Sequence, residues 1–182
     1  MKIPPHAKKV FSGVIFDTYQ WQQEMFDGSM ATFEMLKRPH TLQVIPTFEG
    51  KIVIAIEEQP NRPLQPTLIS GRQEPGEEPL AGIKRELLEE AGFESGDWEL
   101  YSRESFTGKI EWDAITFIAR DCKKVAEQQL EPGEKISLRF VTFDEFIDIV
   151  LSDDFWGKNF AYQVMKLKLG GELDGLKQKL LG

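Results

Sequence analysis

The sequence contains one cysteine, two histidines and no long hydrophobic run, and each shortage excludes a class of site or setting. A single cysteine, Cys122, cannot form an intrachain disulfide. His6 and His40 are far apart in sequence, and no Cys/His cluster has the spacing of a zinc site. No apolar stretch approaches the length of a membrane span, and the first residues lack the apolar segment of a signal peptide. We therefore expect a cytoplasmic protein that does not associate with a membrane.

Cations are also in short supply. The chain has 22 Lys and Arg against 30 Asp and Glu, which gives a net charge of −8 over 182 residues. An acidic surface repels the nucleic-acid backbone and anionic lipid, so we expect no nucleic-acid partner. A small phosphate-bearing ligand remains compatible, because a few local cations or a bound metal ion can reverse the field inside one cleft.

The order of the predicted elements indicates an α+β fold of one domain, layered as an α/β/α sandwich. Residues 10–37 alternate apolar and polar side chains around Asp27-Gly28, which predicts two or three antiparallel strands. Residues 41–46 and 51–57 predict a second hairpin, and three prolines predict a loop over 59–66. Further strands are predicted over 68–71, 98–106, 115–121 and 136–143. Helices are predicted over 79–91, over 144–151 with Asp144 as N-cap, and from Asp153 or Asp154 to about 169.

The helix predicted over 79–91 has a composition that stability alone does not explain. Its apolar stripe, expected to pack on the sheet, consists of Leu80, Ile83, Leu87 and Ala91. The opposite face is expected to carry Gly82, Glu86, Glu89 and Glu90. Stacked carboxylates repel each other by a few tenths of a kcal/mol per pair, and a helical glycine costs about 1 kcal/mol relative to alanine. A solvated acidic face is one interpretation; a divalent cation among the carboxylates is the other, and hard oxygen ligands favour Mg²⁺ or Mn²⁺.

The segment around this helix resembles the signature of the Nudix hydrolase family. The matching residues are Gly71, Glu77, Arg85-Glu86, Leu87, Glu89-Glu90, Gly92 and Phe93. A chance match anywhere in a chain of average composition is on the order of 10⁻⁷. The resemblance implies a sheet-and-helix sandwich that hydrolyses a nucleoside diphosphate linked to another moiety, with Mg²⁺ or Mn²⁺ as cofactor.

The resemblance also implies roles for individual residues. The implied metal ligands are Glu86, Glu90, the backbone carbonyl of Ser70 and, directly or through water, Glu89. Arg85 is expected to orient the glutamates of the catalytic helix, and Glu77 to anchor the preceding loop to that helix.

The flanking segments resemble the ADP-ribose and nucleoside diphosphate sugar pyrophosphatase branch of the family. That branch carries an N-terminal antiparallel sheet that often builds a homodimer, and 19–28 and 33–40 fit that sheet. We therefore expect residues 1–40 to form a dimerising element and 41–182 to form the Nudix domain. The branch also places a glutamate on a loop before a late strand, which is Glu134 here, with Glu127 and Glu131 as local alternatives. Glu134 would activate water or shape the metal site.

The expected substrate is a nucleoside diphosphate sugar, ADP-ribose among others, since the chain departs from the ADP-ribose specialists. A Ser105–Gly108 loop replaces Ser-Pro-Gly, Arg62 is displaced within the Gln-x-Arg loop, and the run Thr67–Ser70 replaces the segment that usually carries a glutamate before the signature glycine. The candidate substrate-binding residues are Trp21, Glu34, Arg62, Arg72 and Glu111. Trp21 would stack on a base, or else belongs to the core or an interface. The alternatives in function are a hydrolase of dinucleoside polyphosphates or capped RNA, and a Nudix module that senses a nucleotide without cleaving it.

Overall fold

The computed structural model describes residues 2–106 and 108–182, which form three sheets, of seven, four and two strands, with helices around them. The strands are β1 Lys8–Ser12, β2 Asp17–Glu24, β3 Met30–Lys37, β4 Thr41–Phe48, β5 Lys51–Gln59, β6 Arg62–Thr67, β7 Ile69–Arg72, β8 Phe93–Glu94, β9 Asp97–Ser105, β10 Ile110–Glu111, β11 Asp113–Arg120, β12 Lys123–Lys124 and β13 Lys135–Val141. The helices are α1 Pro79–Ala91, α2 Phe143–Val150, α3 Lys158–Gly170 and α4 Leu173–Leu181. No helix within the described ranges combines the length and apolarity needed to cross a membrane.

The large sheet has the order β13-β5-β4-β11-β9, with β4 parallel to β11 and antiparallel to β5. The predicted β4–β5 hairpin is confirmed, and its turn residues Glu49 and Gly50 both have positive φ. The two strands pair only beside this turn, at Thr47↔Ile52 and Phe48↔Lys51. Farther on, β6 pairs with β5 and β7 pairs with β4. This arrangement places the end of β7 against α1.

Alternation along the central strands divides the core into two layers. One row of side chains packs with α1 and comprises Leu42, Val44, Val53 and Ala55. The opposite row packs with α2, α3 and α4 and comprises Ile45, Ile52 and Ile54. Each of these side chains is fully buried, and each burial of a Val, Leu or Ile side chain is worth roughly 1.5–3 kcal/mol. The sheet is thus covered on both faces, as the predicted α/β/α sandwich requires.

The N-terminal sheet has the order β1-β2-β3-β10. β2 and β3 form the predicted hairpin around Gly28, whose φ of 81° suits a glycine at the turn. β10 runs parallel to β3, so a strand from the middle of the chain completes this sheet. Several large apolar side chains of this region remain exposed in the single chain: Val10, Phe11, Val14, Ile15, Phe26 and Met30.

Both predicted boundaries of α1, the helix that carries the signature glutamates, are confirmed. Helix α1 begins at Pro79, which suits the first turn because it has no N–H to leave unsatisfied. It ends before Gly92, whose φ of 66° is the left-handed conformation of a helix C-cap.

Three predictions of local structure are wrong. Residues 59–66 are not all loop, since β6 pairs with β5 from Arg62 onward; in the described part of the chain β6 pairs along one side, where prolines are tolerated. Thr142, not Asp144, caps α2, because Thr142 and Glu145 form a reciprocal capping box. Helix α3 begins only at Lys158, after a segment held by the Trp156 N–H, which donates to the Pro66 carbonyl at 2.9 Å.

Candidate active site

The loop between β7 and α1 is folded around the Glu77 side chain. The Glu74 N–H donates to Glu77 Oε2 at 3.0 Å, and the Gln73 amide donates to the Glu77 carbonyl at 2.6 Å. Arg85 Nε lies 3.3 Å from Glu77 Oε1, which joins the loop to the second turn of α1. These contacts fix the approach of the loop to the helix, as the signature implies for Glu77.

The buried face of α1 differs from the predicted stripe. Glu90 is only 5% exposed, whereas Leu80 is 38% exposed. Glu90 stands seven residues after Ile83 and three after Leu87, so it shares their side of the helix. Gly82 is also buried, and a Cβ there would lie 2.6 Å from Leu42 Cδ1 and 2.5 Å from Glu77 Oε2. Close packing therefore accounts for the helical glycine.

Arg85 ties the glutamates of α1 together. Its Nη1 lies 2.9 Å from Glu86 Oε1 and 2.9 Å from Glu89 Oε2, and its Nη2 donates to the Arg72 carbonyl at 3.4 Å. The planar guanidinium suits this role because its donors have fixed directions. The contacts are those of an orienting residue.

Glu86 and Glu90 form a poorly solvated pair of carboxylates beside the end of β7. A Cβ at Gly71 would fall 2.0 Å from the Glu86 carboxyl carbon, so only glycine admits this side chain. The Ser70 N–H donates to Glu90 Oε2 at 3.3 Å. Burial, reinforced by the charges of Glu86 and Glu134, raises the pKa of Glu90 to about 9. Burial also raises the pKa of Glu86.

The loop before β13 brings Glu134 to these glutamates. A tight turn holds it, since the Glu134 N–H donates to the Glu131 carbonyl at 3.0 Å and the Glu131 N–H to Glu134 Oε2 at 3.1 Å. Burial and the neighbouring carboxylates of Glu131, Glu57 and Glu89 raise the pKa of Glu134. Glu127, by contrast, is almost fully exposed and lies 3.8 Å from Lys124.

A further carboxylate, Glu57, was missed by sequence reasoning. It is 7% exposed, and its Oε2 lies 2.6 Å from Arg62 Nη2. Its charge acts on both Glu90 and Glu134. The signal was present in the strand pattern, because residues 53, 55 and 57 share the face of β5 that packs on α1.

The donor set fits a hard divalent cation. Within residues 2–106 and 108–182, no three His, Cys, Asp or Glu side chains are drawn together as tightly as around a bound ion. The available donors, Glu86 and Glu90 with the Ser70 carbonyl, are nevertheless oxygen ligands of the type that Mg²⁺ and Mn²⁺ prefer. No salt bridge to Glu90 occurs among the described residues, so burial disfavours the charged form of this carboxyl group.

The structure places three of the substrate-binding candidates in or beside the N-terminal sheet. Trp21 is 8% exposed and packs on Phe33, with ring centroids 5.8 Å apart. Glu34 accepts a hydrogen bond from the Gln20 amide at 2.7 Å. Glu111 lies 2.9 Å from Lys37 Nζ and accepts the Ile3 N–H at 2.7 Å. In the described part of a single chain, these contacts do not involve the carboxylates of α1.

Two arginines meet at the corner where β7 and β3 end. Arg72 is exposed. Burial of Arg38 lowers the pKa of its guanidinium, and the charge of Arg72 lowers that pKa further. Arg38 lies 4.8 Å above the Trp112 ring, which stacks on Phe106 at 3.9 Å. Neither arginine is ion-paired among the described residues, and although the Arg38 Nε donates to the Pro39 carbonyl at 3.4 Å, the guanidinium groups keep other donors for an anionic ligand. Arg38 was missed by sequence reasoning, while Thr107, in the unusual Ser105–Gly108 loop, lies outside the described residues.

Comparison with known families decides the assignment. The model of the NUDIX domain matches residues 37–163, which is more than half of the chain. The chain belongs to the Nudix family. The signature helix, the loop before it and all strands of the large sheet lie within the matched residues, whereas α4 lies beyond them.

Individual relatives agree with this assignment. The Nudix chain is 28% identical over 179 residues to the ADP-ribose pyrophosphatase of Bacillus subtilis (strain 168), covering 93% of this chain and 94% of that protein. It is 27% identical over 169 residues to the methanol dehydrogenase activator of Bacillus methanolicus, covering 90% of each. A crystal structure of an ADP compounds hydrolase superposes with a TM-score of 0.72 and 19% identity, covering 92% of this chain and 95% of that one.

These comparisons confirm the family, its pyrophosphatase branch and the enzyme class expected from residues 71–93. The structural match confirms the fold, including the additional N-terminal sheet.

Proposed function

We propose that this Nudix hydrolase cleaves the pyrophosphate bond of nucleoside diphosphate sugars, ADP-ribose among them, with Mg²⁺ or Mn²⁺ as cofactor. The products are a nucleoside monophosphate and a sugar phosphate. The observation that carries the proposal is the buried Glu90, whose carboxylate lies close to those of Glu86 and Glu134 and forms no salt bridge with any side chain of the described residues. Similarity along 93% of the chain to an ADP-ribose pyrophosphatase supports the substrate class.

The proposed mechanism assigns metal binding and proton transfer to different carboxylates. A divalent ion held by Glu86, Glu90 and the Ser70 carbonyl would neutralise charge on the diphosphate and lower the pKa of the attacking water. Glu134 accepts a proton from that water while the water oxygen attacks one phosphorus of the diphosphate. The bridging P–O bond then breaks, and the other phosphate leaves with the bridging oxygen. Arg85 keeps Glu86 and Glu89 oriented throughout.

The diphosphate needs cations from the protein as well. Arg72 and Arg38 share one corner, and we assign them to the phosphates because their donors are not committed to carboxylates in the described residues. Arg62 is a third candidate, and its guanidinium pairs with the Glu57 carboxylate. Glu34, Glu111 and Trp21 would reach the substrate only from a second chain.

The substrate class is tested by a panel of ADP-ribose, other nucleoside diphosphate sugars, diadenosine polyphosphates and nucleoside triphosphates with Mg²⁺. We expect ADP-ribose and at least one other sugar nucleotide to be cleaved fastest, with release of product that a phosphatase attacks. Faster cleavage of a triphosphate or a dinucleoside polyphosphate than of every sugar nucleotide would overturn the substrate class. Binding of a sugar nucleotide without its cleavage, in Mg²⁺ and in Mn²⁺ alike, would favour a module that senses a nucleotide.

We also propose that residues 1–40 form a dimerising element and that 41–182 form the catalytic domain. The exposed Phe11 on β1, Val14 between β1 and β2, and Phe26 between β2 and β3 support this, because exposed apolar side chains lose contact with water when a second chain covers them. A second copy would also bring the N-terminal sheet of one chain to the active site of the other.

The assembly prediction is tested by light scattering at micromolar concentration. We expect the mass of two chains for the wild type. Phe11→Glu should shift the protein toward one chain, whereas Glu94→Gln, at an exposed position outside the sheet, should not. A wild-type monomer with full activity would contradict the proposed dimer.

A further inference from the structure

Glu57 stands out as a buried carboxylate that no step of the proposed mechanism uses. It ends the row of β5 side chains that begins with Val53 and Ala55, both fully buried against α1. A position in such a row normally holds an apolar residue, since burying a carboxylate costs several kcal/mol unless it is paired. Glu57 therefore depends on its partners, and its charge acts on Glu90 and Glu134 of the acidic site.

The partners of Glu57 hold it in one orientation. Arg62 Nη2 lies 2.6 Å from Oε2, and the Gln59 amide donates to Oε1 at 2.5 Å. Both carboxylate oxygens are thus engaged, one by a cation and one by an amide. An oxygen with these partners is poorly suited to take a proton or to bind a metal ion as well.

Arg62 is also fixed from its other side. Its guanidinium lies 4.6 Å above the ring of Trp156, whose backbone is attached to β6 through the Pro66 carbonyl. The Arg62 Nε is buried and donates to no acceptor among the described residues. A guanidinium held on its face and at one edge keeps donors for an anion, and the fork geometry of arginine matches a phosphate.

Charge explains why such a cation belongs here. Glu86, Glu90 and Glu134 already surround the place where the diphosphate would bind, and the Arg85 side chain pairs with Glu77, Glu86 and Glu89. Arg62, which begins β6 and pairs with Glu57 of β5, would add a cation that offsets the repulsion between carboxylates and phosphates.

We propose that Glu57 is a positioning residue that holds Arg62 against Trp156, so that Arg62 binds one phosphate of the substrate. This inference rests on the proposed function. Glu57 itself touches neither the substrate nor the metal ion, and its effect on binding passes through Arg62.

The test compares Glu57→Gln, Arg62→Met and the double variant with the wild type. Glu58→Gln is the matched control, since Glu58 lies next to Glu57 on β5 but pairs with Lys135 at a more exposed position. KM and kcat are measured for ADP-ribose at saturating Mg²⁺, together with the Mg²⁺ activation constant. The Kd of ADP-ribose is measured separately in EDTA, and the melting temperature reports folding.

We expect Glu57→Gln to raise both KM and Kd about tenfold while kcat changes less than about threefold and the Mg²⁺ constant is unchanged. The double variant should bind no more weakly than Arg62→Met, because the two residues act as a unit. Glu58→Gln should match the wild type. If Glu57→Gln alone fails to fold, the double variant and Arg62→Met, which should then show equal KM and Kd, carry the comparison.

A large loss of kcat or a changed Mg²⁺ constant in Glu57→Gln, with KM unaltered, would place Glu57 at the metal or the base and overturn the inference. Additive effects in the double variant, or wild-type behaviour of Arg62→Met, would overturn it as well. If the wild type cleaves no sugar nucleotide, the proposed function fails, and the Kd values in EDTA then decide the inference alone. Absence of ADP-ribose binding by the wild type would overturn both.

Discussion

Replacing Glu90 by glutamine is expected to lower kcat by roughly 10³-fold, because the substitution removes an anionic ligand while keeping the shape of the side chain. Glu90 is the most buried of the signature glutamates and accepts the Ser70 N–H. The measurement is steady-state hydrolysis of ADP-ribose at saturating Mg²⁺. Glu94→Gln, an exposed glutamate just after α1, is the matched control and should keep wild-type kcat.

The same substitution should leave the metal-free fold intact or make it more stable at alkaline pH. In the folded protein the pKa of Glu90 is raised to about 9, well above its ordinary value near 4.5. A group with a raised folded pKa contributes stability that is present at low pH and is lost as pH rises between these two values. Wild-type protein in EDTA should therefore lose more melting temperature between pH 5 and pH 9 than Glu90→Gln does. Equal losses, or full activity in the variant, would contradict the assignment of Glu90.

Glu134→Gln is expected to lower kcat by roughly 10²–10⁴-fold, the usual contribution of a general base. Glu86 and Glu90 are assigned to the metal ion, so another carboxylate must take the proton of the attacking water. Glu134 is held near them by its turn with Glu131. KM and the Mg²⁺ activation constant should change much less than kcat, since the metal ligands are untouched.

Glu127→Gln and Glu131→Gln serve as controls from the same loop. Glu127 is almost fully exposed, and Glu131 is exposed at the start of the turn, so both variants should stay within about threefold of wild-type kcat. A loss of less than tenfold in Glu134→Gln, together with a far larger loss in Glu127→Gln, Glu131→Gln or Glu89→Gln, would transfer the role of base to that residue.

The parts of the site that the sequence predicted are those encoded locally. Pro79 and Gly92 bound helix α1 in the structure because one lacks an N–H and the other adopts a left-handed conformation. The spacing of the signature residues from Gly71 to Phe93 was enough to predict the family, and membership of the family implies the fold. The roles assigned to Glu86, Glu90 and Glu134 remain predictions that the experiments above test.

The features that sequence reasoning missed depend on packing between segments that are distant in the chain. Glu90 was expected on the face opposite the apolar stripe, but its angular position beside Ile83 and Leu87 buries it against β7. Glu57 and Arg38 could not be assigned to the site from the sequence, because only the folded sheets bring these residues near it. Likewise, Arg62 begins β6 because β5 offers it a partner, which overrides the loop signal of the prolines.

Mn²⁺ binding to the wild type and to Glu90→Gln, followed by the electron paramagnetic resonance signal of the unbound ion, tests the central claim most directly. The account predicts at least one site per wild-type chain, whose affinity rises between pH 6 and pH 8 by up to about tenfold per pH unit, because Mn²⁺ displaces the proton of Glu90. Glu90→Gln should bind at least about tenfold more weakly and lose this pH dependence. Equal affinity and equal pH dependence in the two proteins would show that the Glu86–Glu90 pair is not the metal site.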